Sequence, residues 1–164
     1  MALNFRNIDA SPTDPVDTWP FEGLVIAIEQ GLVPDWQPIF TELASHPWGP
    51  VSRRIERYLA YAPQRGATRL FALAIDRARK RAEEFEREQV ASDVRAAVAR
   101  SGLSAGVFAE RIGTSASRLS TYATGKVTPS ASMYLRIMRA AGDMARARGL
   151  GDPQPARELS ESSR

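Results

Sequence analysis

The chain has 164 residues, 43% of them hydrophobic, with 22 Lys/Arg against 19 Asp/Glu and no cysteine. That length holds one ordinary domain or two small ones, and the apolar share is sufficient for a real core. The lack of cysteine excludes disulfides and thiolate metal sites, and no apolar run approaches the roughly 20 residues that span a bilayer.

The opening stretch, MALNFRNIDASPTD, lacks a basic start and an apolar h-region, so secretion is not expected, and the lack of cysteine fits a cytoplasmic protein. Residues 1–16 are polar and carry Pro12 and Pro15, so a flexible lead-in is expected. Three short helices follow. Phe21, Leu24, Val25 and Ile28 keep the spacing of one helix face, and Gly31 ends that run. Asp35 is a candidate N-cap for a second helix with Trp36, Ile39, Phe40 and Leu43 on one side. SHPWGP breaks the chain, and Pro50 suits the first turn of a third helix lined by Val51, Ile55, Tyr58 and Leu59. Trp19, Trp36 and Trp48 are expected in the core of this N-terminal part, with a pocket for a ligand or partner as the sharper alternative.

From about Ala67 to Arg100 there is neither Gly nor Pro, which predicts a largely continuous connecting helix. Its middle, DRARKRAEEFEREQ over residues 76–89, has ten charged residues in fourteen. Arg79–Glu83, Lys80–Glu84 and Glu83–Arg87 fall at i, i+4, where each pair supports a helix by a few tenths of a kcal/mol. A short coiled-coil seam through Phe71, Ala78, Ala82 and Phe85 is the alternative use of this segment. Residues 17–75 are thus read as a separate all-α bundle, residues 76–90 as a charged connector and residues 149–164, rich in Pro, Gly and Ser, as a flexible tail.

Charge is unevenly spread. Residues 1–75 carry a net −2, residues 76–90 balance, and residues 91–148 carry +6. A local excess of this kind draws polyanions, nucleic acid above all. The same segment holds GLSAGVFAERIGTSASRLSTYATGK, residues 102–126. Ser104 is placed to cap a helix running to Ile112, Gly113 to take a left-handed turn, and Ser115 to cap a second helix that Gly125 ends. Two helices joined so tightly need a small residue where they cross, which is Ala109. They also need a shared apolar side, supplied by Phe108, Ile112, Leu119 and Tyr122. Val94 and Val98 mark a preceding helix, and Thr128-Pro129 the start of a following one with Tyr134, Ile137, Met138 and Ala141.

This is the helix-turn-helix pattern. Residues 94–141 resemble the Xre/Cro-CI family of helix-turn-helix DNA-binding domains, through GLS…FA…G.S.S.LS.Y..GK..PS, over about a third of the chain. The resemblance implies an all-α C-terminal domain of about five helices that binds double-stranded DNA; no cofactor is expected, and because base readout would rest on short hydroxyls, methyl contacts and Arg118, each monomer discriminates modestly and a homodimer is expected. The resemblance also implies that the helix Ala116–Ala123 lies in the major groove. Ala116, Ser117 and Thr121 then take base-facing positions with Arg118 beside them, and Ser104, Ser115, Thr124 and Lys126 take phosphate positions. The chain departs from the family at Ala105, where a phosphate-holding Gln is usual, at Val107, where a charged residue is usual, and at Ala116, where a Gln or Arg usually reads a base.

With one histidine, His46 in a Pro-rich loop, neither a catalytic triad nor a His-based metal site is available, and the carboxylates show no catalytic pairing, so enzyme activity is not expected. Two functions remain. One is a sequence-specific DNA-binding regulator, most often a repressor, with residues 17–75 for dimerisation or sensing. The other is an antitoxin-like or adaptor protein whose N-terminal helices bind a protein partner, with DNA binding for autoregulation.

Overall fold

The computed structural model describes residues 3–5 and 8–149; the tail beyond Gly149 lies outside the described residues. Helices alone form the regular structure of these residues, and the chain divides into two compact units between Phe85 and Glu86. Among the described residues, no helix is long and apolar enough to cross a membrane.

The first unit holds a 3-10 turn, Val16–Thr18, and the helices α1 (Phe21–Gln30), α2 (Val33–Ser45) and α3 (Pro50–Leu59). It also holds the first part of α4 (Gly66–Ser101). The predicted faces are the buried ones. Leu24 and Ile28 of α1, Ile39 and Leu43 of α2, Val51 and Ile55 of α3, and Phe71 and Ile75 of α4 meet in one core around Trp19. Each such aliphatic side chain, fully buried, contributes about 1.5–3 kcal/mol. Tyr58 closes one side of the core, its hydroxyl donating to Glu29 Oε1 at 2.8 Å. Burial, reinforced by that hydrogen bond, pushes its phenol up to about 12.

Several expectations for this unit are corrected. The described residues of the lead-in are anchored, because Phe5 and Val16 are buried in the core and the Phe5 ring meets Trp19 edge-on at 5.0 Å; residues 1–2 and 6–7 lie outside the described residues. Asp35 is not the N-cap of α2. It stands three residues inside, where its carboxylate accepts from the N–H of the true cap residue, Leu32, at 2.8 Å. Of the three tryptophans, Trp19 is buried and Trp36 half-buried with its indole donating to the Ala27 carbonyl, but Trp48 is exposed. The charged middle of α4 also pairs differently. Arg79 reaches α3 and donates both terminal nitrogens to Glu56, at 2.6 and 2.9 Å, while its Nε donates to the Pro47 carbonyl. Lys80 pairs backward with Asp76. A bidentate partner on a packed helix outcompetes a flexible carboxylate one turn away. Phe71 is wholly buried, so it cannot belong to an outward seam.

The second unit comprises the end of α4, then α5 (Ala105–Arg111), α6 (Ala116–Ala123) and α7 (Ala131–Ala147). That is four helices among the described residues rather than about five. No proline interrupts Ala131–Ala147, and its one glycine, Gly142, is accommodated within the helix. The N-cap of α7 is Ser130, whose Oγ accepts from the Met133 N–H, so Thr128-Pro129 precedes the helix instead of starting it. Val94 and Ala97 of α4, Phe108, Ala109 and Ile112, Leu119 and Tyr122 of α6, and Ile137, Ala141 and Met144 of α7 make the core. Tyr134 is joined to α4 through its hydroxyl, which donates to Asp93 at 2.8 Å.

Candidate nucleic-acid interface

The turn between α5 and α6 follows from three residues. Ile112 closes α5, and Gly113 follows at φ +73°, a backbone that side-chain-bearing residues adopt only with strain. The Gly113 N–H then donates to the Glu110 carbonyl and the Thr114 N–H to the Ala109 carbonyl, at 3.1 and 2.9 Å. Those two bonds form a Schellman closure, which satisfies the last carbonyls of α5 and turns the chain sharply. Arg136 of α7 fixes the turn from outside by donating to the Ile112 carbonyl at 3.1 Å. Ala109, wholly buried, supplies the small side chain at the α5–α6 packing.

Both serine caps form as predicted. The Val107 N–H donates to Ser104 Oγ at 3.4 Å and the Arg118 N–H to Ser115 Oγ at 3.1 Å. Each cap uses its oxygen as acceptor, so each hydroxyl hydrogen remains to donate, which is what a phosphate oxygen requires. Leu119 and Tyr122 hold the inner side of α6 in the core and leave Ala116, Ser117 and Arg118 exposed in its first turn, with Thr121 half-buried one turn on. Among the described residues the Arg118 guanidinium has no ion pair. Lys126 is exposed just beyond Gly125, itself at φ +70°.

Two hydroxyls are turned inward. Thr121 Oγ1 donates to the Arg118 carbonyl at 2.7 Å, and Thr124 Oγ1 to the Ser120 carbonyl at 2.9 Å. In this rotamer Thr121 offers acceptor lone pairs and a methyl group to a ligand, while Thr124 must rotate before it donates to a phosphate. Ser117, Arg118 and Thr121 thus share one outer side of α6, and the two capping serines stand at the starts of α5 and α6.

Sequence reasoning missed one positioning residue. Arg95 of α4 donates to the Ala123 carbonyl at 2.7 Å and to Glu88 at 2.7 Å, so a cation meets the negative C-terminal end of α6. Its only signal in the sequence is a cationic side chain one residue from the buried Val94. The departures noted above are also visible: Ala105 and Val107 are exposed and bring no charge to the start of α5.

Residues 77–148 match the family model of a helix-turn-helix domain. They form a helix-turn-helix domain, consistent with an Xre-like DNA-binding domain. Residues 1–76 lie outside that match. Neither the curated proteins nor the solved structures give a match to the chain.

Proposed function

We propose that this chain is a sequence-specific double-stranded DNA-binding regulator of transcription, a cytoplasmic repressor working as a homodimer. The observation that carries the reading is α6 itself. It is set by a Schellman turn, capped by Ser115, and presents Ser117 and Arg118 outward, with no ion pair to the guanidinium among the described residues. In this reading Ala116, Ser117, Arg118 and Thr121 face base edges, and Ser104, Ser115, Thr124 and Lys126 hold phosphate.

Specificity per monomer is modest. Arg118 is the one long donor in the first turn of α6, suited to guanine O6 and N7, whereas a hydroxyl discriminates weakly. Doubling the contact through a two-fold operator supplies the rest. Residues 17–75 take the role of dimerisation or sensing.

Random-site selection on duplex DNA, followed by a salt titration of the enriched site, tests the reading. The expected result is a palindromic motif bound with a steep inverse salt dependence. Failure to enrich any sequence and failure to retain duplex DNA at low salt would shift the reading to the adaptor function, with the helix-turn-helix as a protein-binding module.

A further inference from the structure

On the first unit, α2 and α4 leave a groove of about 530 Å³ open along α4. Its α4 side carries a floor of small residues, Ala74, Ala78 and Ala82, continued by the larger Leu70 and Leu73, with Phe40 and Leu43 lining the α2 side; Arg77 and Arg81 stand along it with no ion pair among the described residues. At its end projects Phe85, 70% exposed, with Glu83, Glu84 and Glu86 as its neighbours in sequence. The unit therefore carries both halves of a contact: an apolar groove bearing unpaired cations, and an aromatic knob set among carboxylates. An exposed apolar surface of this kind marks an interaction site.

We propose that the groove is filled by α4 of a second copy of this chain, antiparallel to the first, with each Phe85 seated on the alanine floor of the other. The register follows from the charges. With the two-fold axis level with the Ala82–Glu83 step, Arg81 of one copy lies opposite Glu84 of the other. Phe85 of that other copy then lies level with Lys80, over the space between Ala78 and Ala82. The two-fold makes each contact twice. Parallel pairing sets Arg81 against Arg81 and Phe85 against Phe85, which repels the cations and leaves both alanine floors empty. The alanines let the helix axes approach closely, and the Phe85 ring fills the hole they leave, as a knob does in a coiled coil. This inference names an interface for the homodimer proposed above and does not depend on DNA binding.

Sedimentation velocity on the full chain without DNA tests it. Wild type is expected as a dimer at micromolar concentration. Arg81→Glu and Glu84→Arg each place like charges opposite one another at two sites, and each is expected to weaken the dimer roughly tenfold or more. Mixing the two single variants is expected to restore the dimer, since every cross-copy pair then joins opposite charges; the charge pattern within each helix stays altered, so only a contact between copies gives this rescue. Phe85→Ala is expected to weaken the dimer with unchanged helicity, because this side chain is exposed in one copy. A wild-type monomer at about 100 μM, single variants that associate as wild type does, or a mixture that stays monomeric overturns the inference. So does a dimer that appears only when residues 150–164 are removed, which makes the tail the occupant. A dimer that binds no duplex DNA refutes the DNA-binding proposal alone, and a monomer that binds a selected site refutes this interface and the homodimer while leaving DNA binding standing.

Discussion

The Arg95 guanidinium donates to the Ala123 carbonyl at 2.7 Å, so the second unit's portion of α4 holds the C-terminal end of α6. That carbonyl is one of the last in α6, without an intrahelical partner of its own, and a cation there also meets the negative end of the helix dipole. Arg95→Met keeps the stem and removes the donor. The expected loss is about 0.5–1.5 kcal/mol in the unfolding transition of the second unit, followed by chemical denaturation and circular dichroism. An unchanged transition would mean that Leu119 and Tyr122 alone fix α6.

Gly113 and Ala109 are expected to act through geometry rather than contact with a ligand. Gly113→Val forces a β-branched residue to φ +73° and should cost about 1–2 kcal/mol, while Gly113→Asn, which tolerates that backbone, should cost clearly less. Ala109→Glu places a charge among Phe108, Ile112 and Leu119 and should cost several kcal/mol. Thermal melts of the full chain, resolved by unit, decide it; equal stability of the Val and Asn variants would show that backbone strain is not the constraint.

These two positions also show what was legible. Caps, turn glycines and helical spacing are local signals, so α5, α6 and their serine caps were readable residue by residue. The choices that depend on distant packing were not. Arg79 had a carboxylate at i+4 in Glu83, yet it bonds Glu56 on another helix, and nothing local distinguishes the two. Phe71 fits an outward seam with Ala78, Ala82 and Phe85 by spacing alone, but Trp36 and Phe40 pack on it and bury it, while Leu70, one residue or a 100° turn away, is exposed. Phe5 sat in a polar stretch and still found Trp19, because a single aromatic ring buries enough area to anchor an irregular segment. For the interface, the exposed side of α6 was legible, but the inward turn of the Thr121 and Thr124 hydroxyls was not, since side-chain rotamers leave no trace in the order of residues.

Tyr58 gives a pH prediction. Its folded phenol is pushed up from 10.0 to about 12, chiefly by burial and then by the hydrogen bond to Glu29. A raised folded value means the folded state holds its proton longer, so the contribution to stability is complete below pH 10 and is lost as pH rises from about 10 to 12. Stability of the first unit should fall across that window, and Tyr58→Phe should fall less steeply while starting lower at neutral pH. Denaturant midpoints at several alkaline pH values check this. Identical slopes in the two proteins would remove Tyr58 from the account.

Reading bases and holding the backbone should separate in Arg118 and Lys126. Arg118 stands in the first turn of α6, exposed and without an ion pair among the described residues, whereas Lys126 stands past the helix end. If α6 lies in the major groove, Arg118→Ala should cost about 1–3 kcal/mol on the selected site through a lost bidentate guanine contact, and much less on random duplex. Lys126→Ala should weaken both DNAs alike and lower the salt slope by about one, because one phosphate contact releases about one counterion. Binding isotherms at several salt concentrations, on both DNAs and with both variants, resolve the pair. Equal losses for Arg118→Ala on the two DNAs would make it a phosphate clamp. Sequence discrimination would then rest on Ser117, on Thr121 as acceptor and methyl contact, and on the shape of the duplex.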